Sequence, residues 1–322
     1  MTRTARRGHR RPGRRPTRSG KPWRGSRRPP RGRSPSSGWR SSRKAGPLCA
    51  VTRHVSVDGR TAVAVPGKRP EKGKPEKSKQ RAEPEAPCDH LAVVDIDTGK
   101  KLWEKPLPNG GSGSTGVNVT MTRGTVVATW GQGSAAYDMT TGKRLWADLN
   151  PSTCTDTGFA GGRGLLALRS CGDSADPEFR VQKVAPRTGR TVWTHKVARG
   201  IDSVYLASSQ PPVIAVATGN DGTIDYLHSL DDRGRNRATI PLPDRRYLHN
   251  CDESFSAEVE RCSGVVVGER QLYMATKPRD TYEAGLSRRV PNEVVAFDLA
   301  RQTGEQDEGP QAPLMHGYES SR

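Results

Sequence analysis

The sequence predicts an all-β fold, a β-propeller of about five four-stranded blades, and three observations predict it. First, a pattern recurs: LAVVDIDTGKKLW at 91–103, SAAYDMTTGKRLW at 134–146 and VQKVAPRTGRTVW at 181–193. Second, its glycines, Gly99, Gly142 and Gly189, followed by Gly234 in a weaker copy, stand 43, 47 and 45 residues apart. Self-similarity at that period is the signature of a repeat architecture. Third, each copy resolves into short β-branched runs separated by Gly and Asp turns, which is the grammar of strands joined by hairpins.

The second copy shows the frame most fully. Residues 116–120 alternate toward a turn at Arg123-Gly124, and TVVAT (125–129) is a β-branched run. SAAYD (134–138), a TTGK turn and RLWADL (144–149) complete four strands, one propeller blade in about 45 residues. The other second strands are TAVAV, GLLALRS, VIAVAT and QLYMAT, and the third are CDHLAVVD, EFRVQKV, TIDYLHSL and EVVAFDL. The first hairpins turn at 57–60, 161–164, 209–212 and 268–271. A fifth copy, VVAFDLARQTGE, places Asp298 where Asp95 and Asp138 sit. Insertions at 66–87, 170–178 and 277–292 fall between second and third strands and are expected to be loops on one edge.

Charge divides the chain in two. The formal net charge is +19, but residues 1–44 hold 17 Lys or Arg and no Asp or Glu, leaving 36 basic against 34 acidic side chains afterwards. Before Leu48 there is no Val, Ile, Leu or Phe, and the large apolar side chains are Met1, Trp23 and Trp39. Such a segment buries too little apolar surface to offset its chain entropy, so 1–47 is expected to be a disordered tail and 48–322 the propeller. Basic charge and two tryptophans suit nucleic acid. The same Arg/Pro/Gly/Ser vocabulary also arises from out-of-frame or upstream translation of GC-rich DNA, and the leading expectation is that the native start is not the one given.

The cysteines test the frame. Cys154 and Cys171 are equidistant from the centre of the 161–164 turn and so face each other across a hairpin at a separation a disulfide spans. Cys251 and Cys262 bracket a short acidic loop and are candidates to pair. Cys49 opens the first strand of the first copy and Cys88 its third, where a bridge is geometrically open. An even cysteine count suits an oxidising, extracytoplasmic compartment. No apolar stretch of about 7–15 residues marks a signal peptide, and none approaches the roughly 18–20 residues of a membrane-spanning helix.

Strand, Gly-rich turn, strand and TGKxLW together resemble the PQQ-repeat (quinoprotein-dehydrogenase-like) propellers over about 49–305, best at GTVVATWGQGSAAYDMTTGKRLW (124–146). The resemblance implies that Trp103, Trp146 and Trp193 dock between neighbouring blades. Ala238 stands at that place in the fourth copy and Glu308 in the fifth. Members that use pyrroloquinoline quinone hold it with a disulfide between adjacent cysteines, a stacking Trp and a calcium on Glu, Asn and Asp. No Cys-Cys pair occurs here, so the resemblance implies the non-catalytic branch, with no cofactor, metal or catalytic residue assigned. Propellers of the family close with more blades than five, so the chain is expected to be part of a longer propeller.

Other chemistry finds little footing. GSGSTG (111–116) matches the dinucleotide fingerprint, but VNVTMT after it reads as a strand where a helix is required. Cys88-Asp89-His90 is the nearest approach to a metal spacing. G-x-S-x-G and H-E-x-x-H are absent from the sequence. The expected function is a non-catalytic scaffold that binds an unknown protein or small ligand through the loops at 66–87 and 251–262. A PQQ-dependent oxidoreductase, a sensor domain detached from a bacterial Ser/Thr kinase and a nucleic-acid-binding tail are the other readings. Mass spectrometry of the native protein is expected to recover no peptides of the tail; peptides around Trp23 recovered from cells would show the tail to be translated.

Overall fold

A computed structural model describes residues 48–67, 87–108, 116–131, 133–149, 153–173, 176–219, 223–242, 246–251, 258–283, 286–290 and 292–300. The tail with Trp23 and Trp39, most of the 66–87 insertion, most of GSGSTG and the end with Glu308 lie outside the described residues.

Four antiparallel meanders follow one another. The first is β1 (Ala50–Val51), β2 (Arg60–Val65), β3 (His90–Asp95) and β4 (Lys100–Pro106). The second is β5 (Val117–Thr122), β6 (Thr125–Trp130), β7 (Gly133–Asp138) and β8 (Arg144–Asp148). The third is β9 (Cys154–Ala160), β10 (Leu166–Cys171), β11 (Glu178–Val184) and β12 (Thr191–Lys196). The fourth is β13 (Ser203–Ser209), β14 (Pro212–Ala217), β15 (Tyr226–Leu230) and β16 (Asn236–Pro241). The fifth sheet has three described strands, β17 (Val266–Val267), β18 (Gln271–Ala275) and β21 (Val294–Asp298).

Two expectations need correction. The 277–292 insertion is not a plain loop: β19 (Arg279–Glu283) and β20 (Leu286–Val290) pair as a hairpin of their own. The first strand of the first blade is two residues long and begins after Cys49, because Ser56, Asp58 and Arg60 hydrogen-bond into a wide turn that consumes the rest of the run.

Burial follows the position of each strand in its blade. Strands β5, β6 and β14 are buried at every residue, which explains their near-continuous apolar and Thr sequence. The outermost strands β4, β8 and β12 carry the charged side chains and are mostly exposed or half-buried. Apolar clusters fill the spaces between consecutive sheets: Leu91, Val93, Val119 and Val126 between the first two, Val127, Ala136, Phe159 and Leu165 between the next. Leu168, Val181, Leu206 and Ile214 lie between the third and fourth, and Val213, Leu227, Leu272 and Met274 between the last two.

A repeated contact sets the blades against one another. Trp103 of β4 donates its indole N–H to the Met139 carbonyl at 2.8 Å and lies on Gly142 of the second blade. Trp146 of β8 does the same to the Pro186 carbonyl at 2.8 Å and lies on Gly189 of the third. Trp193 of β12 lies on Gly234 of the fourth. Each glycine has a left-handed backbone, with φ of +66°, +71° and +77°. A Cβ there would come within 2.9, 2.9 and 2.6 Å of the indole, so the position demands glycine twice over. In each of β4, β8 and β12 the register slips by one residue just before the Trp, at Leu102, Leu145 and Val192. A β-bulge there turns the indole out of the ladder and toward the next blade. Strand β16 has the same slip at Arg237, so the register that puts fully buried Ala238 at the Trp place is right and the copy truly lacks its indole.

All six cysteines are paired: Cys49–Cys88, Cys154–Cys171 and Cys251–Cys262. Cys154 and Cys171 face each other across β9 and β10 even though a bulge interrupts that ladder near Thr157.

Gly142→Ala is expected to lower stability by about 2–4 kcal/mol, combining the left-handed backbone with the indole clash. Gly124→Ala is the control, since its φ is +75° but a Cβ there meets nothing within 4 Å, so only the backbone part remains. Urea midpoints compare the two; equal losses would remove the indole contact from the account.

Candidate functional site

The first strands of successive blades lie side by side around a common axis. Gly162, just after β9, donates its N–H to the Met121 carbonyl of β5 at 2.8 Å, and Thr122 bridges to Gly162. The segment 258–262, before the first strand of the fifth blade, runs across these inner strands. Leu206 of β13 donates its N–H to the Val259 carbonyl at 2.7 Å. Arg53, after β1, donates to the carbonyls of Glu260 and Cys262. One short segment therefore touches the inner strands or their ends in blades one to four.

Glu260 is the centre of that segment and is only 7% exposed. Its Oε2 accepts the Gly161 N–H at 3.0 Å and the Thr120 hydroxyl at 3.1 Å, and His54 Nε2 stands 3.6 Å away. A buried carboxylate is tolerated only when hydrogen-bonded in this way. Gly161 is required because a Cβ there would lie 2.4 Å from Thr120 Oγ1 and 2.2 Å from the Met121 carbonyl. The disulfide Cys251–Cys262 ties the segment back to residue 251, with both cysteines buried.

Beside Glu260 opens a cavity of about 270 Å³, whose lining includes Arg53, His54, Arg163, Ser208, Ser209 and Gln210. Ser209 donates its hydroxyl to the Gly161 carbonyl and accepts the Gly164 N–H, so it is held as a structural bridge. Behind it, Lys183 Nζ donates to the Ser209 carbonyl at 3.1 Å and to Gln210 Oε1 at 2.7 Å. Burial, and then the charge of Arg123, pushes the Lys183 ammonium below its usual range. The arrangement offers fixed charge and hydrogen bonds. Neither serine of the lining is hydrogen-bonded to a base.

The residues singled out in the sequence are distributed differently. Trp103, Trp146 and Trp193 lie between blades and do not line the cavity. Of the acidic loop between Cys251 and Cys262, residues 252–257 lie outside the described residues. Cys88 is in its disulfide, while Asp89 Oδ1 meets His90 Nδ1 at 2.8 Å and the Gly67 N–H, which accounts for that trio without a metal. Among the described residues no cluster of three His, Cys, Asp or Glu is arranged to hold a metal. A strand, β5, follows GSGSTG, as the sequence indicates. Sequence reasoning missed Arg53, His54 and Glu260, whose partners lie up to 209 residues away. The one available signal was an acidic residue two places before Cys262.

Residues 83–173 match the family model described as outer membrane protein assembly factor BamB, a PQQ-type repeat. The match takes in the second of the repeats whole and parts of the first and third. No curated protein matches the chain by sequence. Among solved structures, the chain is similar to a protein of unknown function from Bacteroides caccae, 14% identical with a TM-score of 0.35, covering 63% of this chain and 69% of that one. A europium-containing methanol dehydrogenase is 13% identical with a TM-score of 0.34, covering 77% and 57%. The quinohemoprotein alcohol dehydrogenase ADHIIG from Pseudomonas putida HK5 is 14% identical with a TM-score of 0.41, covering 79% and 52%. The chain thus spans little more than half the length of either dehydrogenase.

Replacing Glu260 by Ala is expected to lower stability by about 2–4 kcal/mol, since it leaves two buried donors without an acceptor. Glu260→Gln keeps an acceptor and is expected to lose roughly half as much. Urea denaturation reads both; an Ala variant as stable as the parent would remove Glu260 from the axial assembly.

Proposed function

We propose that this PQQ-type propeller is a non-catalytic, extracytoplasmic scaffold that binds a protein or small ligand at its axial mouth and adjoining loops. The observation that carries the reading is the use made of the axial polar groups. Glu260, Ser209 and Lys183 each spend their hydrogen bonds on main-chain or neighbouring side-chain atoms that hold blades together. The hydroxyls of the lining lack the base that activates a nucleophile.

The quinone that the repeat type brings to mind does not fit these residues. Its holders elsewhere are a pair of adjacent cysteines, a stacking Trp and a calcium-binding carboxylate. The six cysteines here are committed to three other bridges, and no Trp among the described residues lines the cavity. The buried carboxylate of the lining, Glu260, is engaged by Gly161 and Thr120. The cavity of about 270 Å³ also falls just below the range of about 300–1,000 Å³ typical for larger ligands.

Three disulfides within so short a chain support an oxidising compartment, where such bonds form and persist. No helix among the described residues is long and apolar enough to cross a membrane.

Thermal unfolding of the full chain with quinone and calcium is the test. The expected outcome is an unchanged Tm. Specific binding at a hundredfold excess over Kd would add about 2.7 kcal/mol and raise Tm by about 5–10 °C for a domain of this size. Such a rise would replace the scaffold reading with the oxidoreductase one.

A further inference from the structure

We propose that the axial cavity recognises a carboxylate group on its ligand, with Arg53 and Arg163 as the recognising residues. The inference rests on the binding reading above and names the chemistry that site takes.

The charges of the cavity are unevenly compensated. Arg53 is exposed, and its guanidinium meets two main-chain carbonyls, of Glu260 and Cys262, with no carboxylate partner among the described residues. Those two bonds fix the fork, and the other N–H donors of the group have no partner among the described residues. Arg163 is 58% exposed, and its nearest carboxylate, Glu269, is 3.8 Å away and 86% exposed. A pair so open to water is worth little. Two further cations adjoin the same rim. Arg123 donates to the Arg163 carbonyl at 2.9 Å, and Lys183 sits beneath Ser209 and Gln210. Among the described residues, Glu260, Glu269 and Asp232 stand against these four, the last felt at Lys183. Glu260 is already met by Gly161, Thr120 and His54. Among the described residues the rim therefore carries more positive than negative charge, and low-dielectric walls focus such a field.

Guanidinium groups match planar anions in two-point geometry. Carboxylate and phosphate both satisfy that shape, and Glu260 decides between them. Its negative charge in the same cavity opposes a dianion more than a monoanion. Ser208 and Gln210 add neutral polar groups to the lining. The volume of about 270 Å³ takes a small organic acid or the end of a peptide.

Isothermal titration of the full chain at low salt tests this with propionate, inorganic phosphate, and a tetrapeptide with either a free or an amidated C-terminus. Saturable binding of propionate or of the free-acid peptide is expected. Whichever binds identifies the source of the carboxylate. Amidation is expected to weaken the peptide at least tenfold, and Arg163→Gln to raise Kd about tenfold, the loss of one charge-assisted hydrogen bond. Arg163→Gln is the primary variant because that side chain is exposed and its removal leaves the fold intact, checked by its urea midpoint. Arg53→Lys is the second, keeping the charge and losing the fork. The proposal is overturned if neither carboxylate binds saturably, if phosphate binds as tightly as the better carboxylate, or if Arg163→Gln binds as the parent does. A failed titration with an unchanged Tm in quinone removes this inference alone; a quinone-induced rise in Tm removes the scaffold reading beneath it.

Discussion

An indole laid on a left-handed glycine is the contact from which the rest of this structure follows. The glycine lacks a side chain, so the turn of one blade presents bare backbone to its neighbour. The indole covers that backbone and gives its N–H to a carbonyl of the same blade in two of the three instances. The β-bulge before each Trp makes this geometry available to a residue that would otherwise stay in its ladder. Repeated at Trp103, Trp146 and Trp193, the contact fixes each blade against the next at its outer edge. Apolar clusters then fill the wedge inward from there.

Docking at the outer edge leaves a polar problem at the inner one. The ends of the first strands converge, and their N–H and hydroxyl groups at Gly161 and Thr120 face an interior that water does not fill freely. A segment from the fifth blade answers this by bringing a carboxylate to both groups. Its own backbone is in turn held by Arg53 and Leu206. The same segment shapes the cavity whose cations remain only partly matched. Structural closure and ligand recognition are therefore functions of one stretch of chain.

The sequence made the local part of this design readable and the long-range part opaque. Strands β6 and β7 stood out because β-branched residues ran between Gly turns, a pattern that depends on neighbours a few residues away. Cys154 and Cys171 could be placed opposite each other because a hairpin makes their separation a matter of counting. Ala238 stands where the repeat places a Trp, and the slip at Arg237 shows that register to be correct. The hairpin β19–β20 was missed because its run of Arg, Asp, Thr and Glu carries no apolar alternation. Glu260 was missed for a deeper reason. Nothing in its neighbourhood marks it, and its role exists only once residues 99 and 140 positions earlier have been brought to it.

That separation has a consequence for how the chain is made. Synthesis runs from the first blade onward, and Gly161 leaves the ribosome 99 residues ahead of Glu260. At about 5–20 residues per second this is a lag of roughly 5–20 s. The hairpins of the early blades close in microseconds, so their indoles can seat while the axis is still wet. The inner N–H of Gly161 must stay hydrated through that interval. The order of synthesis thus allows the outer edges to dock before the hub can close, and residues 258–262 bring the contacts that close it.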